Sequence, residues 1–219
     1  MPKEEMTILT DAELRALLAA CVGTIWEIPI IIAANTGMRQ GEVLALTWDK
    51  VDFERNEILV NRSLEQTKKG FNSKEETKTD SSTRTIEVSV AVMETLKRLK
   101  EKQKTTYNPM NLVCCRHDGN YIYGSNLTRG FQRVLTTAKV KQVRFHDLRH
   151  THASHLIRAG VDIIEIARRL GHKSPKMTLD IYGHLIPQTR GAAVRAWDSI
   201  LSVAAPSQTI EEKEKGHDL

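Results

Sequence analysis

Apolar positions along the chain change their period twice, and the changes mark out the predicted elements. Thr10-Asp11-Ala12-Glu13 reads as a capping box that opens a helix running to about Cys21. Residues 25–35 are apolar on nearly every face, which predicts a buried helix ended by Thr36-Gly37, and a further helix starts near Gln40. After Val51 the spacing shortens. Ile58-Leu59-Val60 and Thr85-Ile86-Glu87-Val88 are strand-like runs around a polar stretch rich in Lys, Thr and Ser, and they predict a small antiparallel sheet. Helical spacing returns over residues 90–104, Asp118-Gly119 is a turn, and Ser125 is the expected cap of a helix reaching about Ala138. The last third reads as helices throughout: residues 146–159 stopped by Gly160, residues 162–170 stopped by Gly171, a third opened by Ser174-Pro175, and a final one over residues 188–203. Ile163, Ile166, Ala167 and Leu170 share one helix face, so Arg168 and Arg169 are expected to point outward.

Composition places these elements in one domain with a sizeable core, since 40% of the 219 residues are hydrophobic and Gly and Pro are few. The 32 Lys and Arg against 27 Asp and Glu give a net charge of +5, a mild basic excess that hints at nucleic acid. Glu211, Glu212, Glu214 and Asp218 outweigh Lys213 and Lys215 in the tail, so the body is more basic than the total implies. The 3 cysteines include the adjacent Cys114 and Cys115 but no Cys-x-x-Cys pair, which argues against a zinc ribbon or a redox motif and fits a reducing cytoplasm. The longest apolar stretch, residues 25–34, is broken by Glu27 and Pro29 and is too short to span a bilayer. No membrane association is expected.

Several residues stand where they could carry chemistry. Arg39 occupies a glycine-flanked corner, Thr36-Gly37-Met38-Arg39-Gln40-Gly41-Glu42, and its fork wants a carboxylate or a phosphate. An ion pair with Glu42 would satisfy it without any function. In Phe145-His146-Asp147-Leu148-Arg149-His150, helical spacing puts His146, Arg149 and His150 on one face, a proton-transfer group beside a fixed cation. His146 and His150 are spaced like zinc ligands, but the intervening cation and the missing His-Glu-x-x-His pattern weigh against a metal. His172 could be a plain helix cap, Tyr182 a core aromatic, and Lys78 a solvated turn residue.

Taken together, T-G-M-R-Q-G-E, K-T-D-S-S-T-R-T-I, H-D-L-R-H-T-H-A-S, L-G-H and D-I-Y-G-H resemble, in order and spacing, the tyrosine recombinases of the phage-integrase type. The resemblance spans about residues 8–203. It implies an α+β, mainly helical catalytic domain over residues 9–203, preceded by a linker remnant over 1–8 and followed by a charged tail over 204–219. It implies that Arg39 and Arg149 clamp a scissile phosphate of double-stranded DNA and that His172 hydrogen-bonds it. It further implies that Lys78 protonates the leaving 5′ oxygen, His146 assists proton removal, Glu42 supports the site and Tyr182 is the nucleophile. Lys69 and Lys74 are alternatives to Lys78, which the match to K-T-x-S-S-x-R favours.

Site-specific integration or excision through a 3′-phosphotyrosyl intermediate is the implied activity. Two fixed guanidiniums suit the charge that grows in the transition state, so neither metal nor other cofactor is expected. A tetramer on DNA, a monomer when free, is the implied assembly. Family members usually carry a further N-terminal helical domain, so this chain is expected to be a fragment with weak DNA affinity of its own. Two rivals remain: residues 162–180 also resemble the helix-turn-helix of a regulator, with Lys173, Ser174 and Lys176 at base edges, and a type IB topoisomerase uses similar groups.

Overall fold

In a computed structural model of the chain, residues 7–67, 70–75, 83–186 and 191–204 are described. Helix α1, Asp11–Cys21, opens as the sequence predicts: Thr10 Oγ1 accepts from the Glu13 backbone N–H, and the Glu13 carboxylate accepts from that of Thr10. Helix α2, Glu27–Thr36, buries Ile30, Ile32 and Ala33 and stops where Gly37 turns to φ +66°. Helix α3, Gln40–Ala45, follows with only Gly37, Met38 and Arg39 between. That tight corner fixes where Arg39 leaves the backbone.

The β segment forms two ladders. Strands β1 (Val51–Asp52), β2 (Glu57–Val60) and β5 (Arg84–Glu87) make an antiparallel sheet in the order β1-β2-β5. Strands β3 (Arg62–Thr67) and β4 (Gly70–Glu75) pair with each other. The hairpin lies on α3: a Cβ on Gly41 would come within 2.6 Å of Ser63 Oγ and 2.8 Å of the Leu64 carbonyl, so glycine permits the approach. Phe71 packs against the rings of Tyr121 and Tyr123.

Helices α4 (Val90–Gln103), α5 (Gly124–Thr137), α6 (Asp147–Arg158), α7 (Ile163–Leu170) and α8 (Pro175–Tyr182) complete the unit that carries the site. Ser125 is not the cap of α5. The helix starts one residue before it, because the Tyr123 carbonyl already accepts from the N–H groups of Asn126 and Leu127, and no side chain caps this end. Gly171, at φ +67°, ends α7 as predicted. A main core runs from Leu9 to Leu148, and a smaller one joins Ala153, Ile157, Ile166, Leu170 and Tyr182. The latter pins α8 to α6 and α7, and with it the ring of Tyr182.

Helix α9, Ala192–Ala204, belongs to a second unit and presents Val194, Trp197, Ile200 and Leu201 as exposed apolar groups. Residues 1–6 of the expected linker remnant and 205–219 of the expected tail lie outside the described residues. No helix among the described residues is long and apolar enough to cross a membrane.

Candidate active site

Arg149 sits on the first turn of α6 and is buried at 3% exposure, which requires partners for its charge. Its Nη1 donates to the Gly37 carbonyl at 2.8 Å and its Nη2 to the Leu170 carbonyl at 2.7 Å. Both acceptors are carbonyls at helix ends, of α2 and of α7, where partial negative charge favours a cation. Glycine suits this corner, since at φ +66° a Cβ on Gly37 would also fall 2.7 Å from Leu170 Cδ2 and 2.9 Å from His152 Cδ2. Burial, and then the charge of Arg39, pull the Arg149 pKa down to about 9, so it remains a cation at neutral pH.

Glu42, on α3, is buried at 1% exposure between two arginines. Its Oε1 accepts from Arg39 Nη1 at 2.8 Å and Arg84 Nη1 at 3.2 Å; its Oε2 accepts from the Arg39 N–H and Arg84 Nη2, both at 2.8 Å. Burial opposes ionisation, but the Arg84 hydrogen bonds and charge outweigh it and hold the carboxyl below its ordinary value. The expected Arg39–Glu42 ion pair therefore forms. It leaves the Arg39 side chain 39% exposed, an anchored guanidinium with an open edge.

Tyr182, the last residue of α8, has its ring in the smaller core and its hydroxyl 2.7 Å from His150 Nδ1. Burial pushes the phenol up to about 12, against the opposing pull of Arg149. His150 and His146 stand one helical turn apart with rings edge to face at 5.1 Å. Burial lowers both imidazoles, helped by Arg149 at His146 and by His146 at His150, so both favour the neutral form. His172 Nδ1 lies 2.8 Å from Thr178 Oγ1. With the threonine hydroxyl donating to Nδ1, the ring hydrogen occupies Nε2, free to meet an anion. Burial, then Arg149 and Arg39, hold His172 down at about 4.

Arg39, Glu42, Arg149 and His172 are thus brought within electrostatic range of one another, with Tyr182 feeling the charge of Arg149. Lys78 and Lys69 lie outside the described residues, and Lys74 is a β4 backbone position paired with Ser63. A groove of about 220 Å³ beside the site is lined by Thr83, Arg84, Arg168, His172, Lys173 and Ser174, and the charges of Arg168 and Lys173 there favour a polyanion.

Three features went unread in the sequence. His150, and not His146, is the hydrogen-bond partner of the Tyr182 hydroxyl. Arg84 is a buried partner of Glu42. Arg169 does not point outward: its Nε donates to His152 Nε2 at 3.0 Å and its Nη2 to the Asn35 carbonyl at 2.9 Å, because α7 packs on the C-terminal end of α2 and those acceptors need a donor. The K-T-x-S-S-x-R run was the available signal for Arg84, and the shared face with Arg149 the signal for His150.

Comparison with known proteins identifies the family and the fold. The model of the phage integrase family matches residues 7–189. A XerC-like tyrosine recombinase of Caldanaerobacter subterraneus subsp. tengcongensis is 31% identical over 215 residues, covering 90% of this chain and 55% of that protein. The ICEBs1 integrase of Bacillus subtilis is 33% identical over 180 residues, covering 78% and 48%. The chain thus spans about half the length of the curated relatives it matches. Among solved structures, the Tn1549 transposon integrase in complex with transposon right end DNA superposes with a TM-score of 0.74 at 23% identity, over 92% of this chain and 67% of that one. The catalytic domain of bacteriophage HP1 integrase does so at 0.59 and 20% identity, over 92% and 100%. These two likenesses establish the fold.

Proposed function

The chain belongs to the phage integrase family, and from that premise we propose that it cuts and rejoins double-stranded DNA in site-specific recombination, with Tyr182 as the nucleophile. The observation that supports the reading is the 2.7 Å contact between the Tyr182 hydroxyl, at the end of α8, and His150 Nδ1 on α6, the residue that follows Arg149.

In the proposed step the Tyr182 oxygen attacks the scissile phosphorus, and the bond from phosphorus to the 5′ oxygen breaks. The phenol proton passes to the His150–His146 pair, for which the Nε2–H tautomer of His150 offers an open Nδ1. Lys78 supplies the proton to the departing 5′ oxygen. Arg39 and Arg149 neutralise the charge that builds on the non-bridging oxygens, and His172 donates to one of them. The 3′-phosphotyrosine keeps the energy of the broken ester, so a 5′ hydroxyl from the same or another strand reverses the step without ATP. The buried phenol must be uncovered for the phosphorus to reach it, so α8 has to shift as DNA engages.

Exchange between two duplexes requires four such sites, which makes the working assembly a tetramer on DNA and the free chain a monomer. The exposed apolar face of α9 is the candidate contact between copies. The thiols of Cys21, Cys114 and Cys115, all unpaired, suit the reducing cytoplasm.

The test is covalent trapping. Wild-type protein and Tyr182→Phe are incubated with a pool of nicked duplexes of randomised sequence, denatured, and separated from free DNA. A protein-DNA adduct from the wild type alone, enriched in one sequence, is expected. An adduct that survives Tyr182→Phe, or none from the wild type on any duplex of the pool, would sink the reading.

A further inference from the structure

Arg84 lies outside the set of phosphate ligands, yet its guanidinium touches both halves of the site. On one side it grips Glu42 with two parallel bonds, Nη1 to Oε1 at 3.2 Å and Nη2 to Oε2 at 2.8 Å, and Glu42 in turn holds both the backbone N–H and Nη1 of Arg39. On the other side its Nε donates to the Arg169 carbonyl at 2.7 Å. The next carbonyl, of Leu170, is the one that takes Arg149 Nη2. A Cβ on Gly171 would sit 2.9 Å from Arg84 Nη1, so the backbone leading into His172 rests directly on the guanidinium. Arg84 is 6% exposed, so the contact is largely shielded from solvent.

We propose that Arg84 is the positioning residue that sets the spacing between the two phosphate arginines and His172, acting through Glu42 and the 169–171 backbone. Only a planar fork can serve both directions at once, because a lysine ammonium is a point charge that reaches the carboxylate or the carbonyl but does not span them. Arg84 opens β5, with Val60 paired opposite in β2, so the sheet gives the guanidinium a rigid base. Preorganised charge is effective only at the right distance, and a displacement on the order of 1 Å costs about 100-fold in rate.

The inference rests on the DNA-cleavage reading, and its test separates the two. The substrate is the nicked duplex recovered from the trapping experiment, made once with the natural scissile phosphate and once with an uncharged methylphosphonate. Arg84→Lys should lower single-turnover adduct formation on the phosphate by about 10- to 100-fold, with DNA binding changed less than about twofold. On the methylphosphonate, which has no charge to clamp, the deficit should shrink to the same extent as that of Arg39→Lys. The double variant should be slower than Arg39→Lys by less than the factor Arg84→Lys alone costs, because part of the Arg84 effect runs through Arg39 and the rest through Arg149 and His172. Arg84→Gln, with its folding checked by thermal melting, should behave likewise. Equal deficits on both substrates, additive losses, or a wild-type rate in Arg84→Lys would overturn the proposal while leaving the nucleophile assignment standing. Absence of any Tyr182-dependent adduct would remove both.

Discussion

The Tyr182 hydroxyl lies 2.7 Å from Nδ1 of His150, although its ring is packed among Ala153, Ile157, Ile166 and Leu170. Burial that lifts the phenol to about 12 makes it too weak an acid to ionise unaided near neutral pH, so its activation depends on the imidazole it already touches. Cleavage should therefore need His150 neutral. Burial and His146 depress the His150 pKa, so the acid limb of the rate should lie at lower pH than an unperturbed imidazole would give. His150→Ala should slow single-turnover cleavage by about 100- to 10,000-fold and remove this acid limb. His146→Ala should move the limb to higher pH, since it takes away a neighbour that keeps His150 unprotonated. A His150→Ala enzyme with the wild-type pH profile would assign the proton transfer elsewhere.

Arg149 holds two carbonyls from opposite sides of the site, and a lysine, without the planar fork, does not hold both in that geometry. Arg149→Lys should lower cleavage by about 100- to 1,000-fold. It should also destabilise the fold by about 1–3 kcal/mol, because a buried carbonyl is left without a donor. Quench-flow cleavage and urea unfolding on the same preparation separate the two effects. Loss of stability without loss of rate would demote Arg149 to a structural cation.

Such long-range ties explain what the sequence could and could not disclose. Helix ends were readable because their determinants are local: Thr10 and Glu13 form their box within one turn, and Gly171 needs only its own φ. The apolar stripe of Ile166, Ala167 and Leu170 was likewise visible as a period. Arg169 defeated that logic, since the period describes one helix and says nothing of the α2 carbonyl end brought against it. His150 and Arg84 meet partners 32 and 42 residues away, at distances no spacing rule reaches. The helix-turn-helix reading of residues 162–180 describes two real helices, α7 and α8, with Lys173 and Lys176 exposed, but it leaves the convergence of Arg39, Arg149 and Tyr182 without a purpose.

Gly37 tests how tightly the corner beside Arg39 is built. At φ +66° any side chain is strained, and here a Cβ also meets Leu170 and His152 at under 3 Å. Gly160, at φ +80° with nothing within 4 Å, isolates the backbone cost alone. Gly160→Ala should lose about 1 kcal/mol. Gly37→Ala should lose a further 1–3 kcal/mol, roughly the cost of overpacking, and slow cleavage as the Gly37 carbonyl shifts under Arg149. Equal losses in urea unfolding would mean that the corner can relax.

His152 ties α6 to α2 and α7, and does so in one protonation state only. Its Nδ1–H donates to the Ala34 carbonyl at 3.0 Å while its Nε2 accepts from Arg169 Nε at 3.0 Å. A proton on Nε2 would face the Arg169 N–H and break the second bond. Burial, and next the Arg169 charge, hold His152 down at about 4, against about 6.5 for a free imidazole. The unfolded chain therefore takes up a proton that the folded one refuses between those values. The associated stability is complete above the unfolded pKa and drains away as the pH falls toward about 4, by up to about 3 kcal/mol. His172 is depressed to about 4 as well and titrates in the same window, so the diagnostic is the difference between wild type and His152→Asn. That variant should be less stable near pH 7 yet lose less on acidification to about pH 5, as read by urea unfolding at both. Arg169→Gln should raise the His152 pKa and narrow the window. Parallel stability curves for wild type and His152→Asn would show that the ring takes up its proton without disturbing the fold.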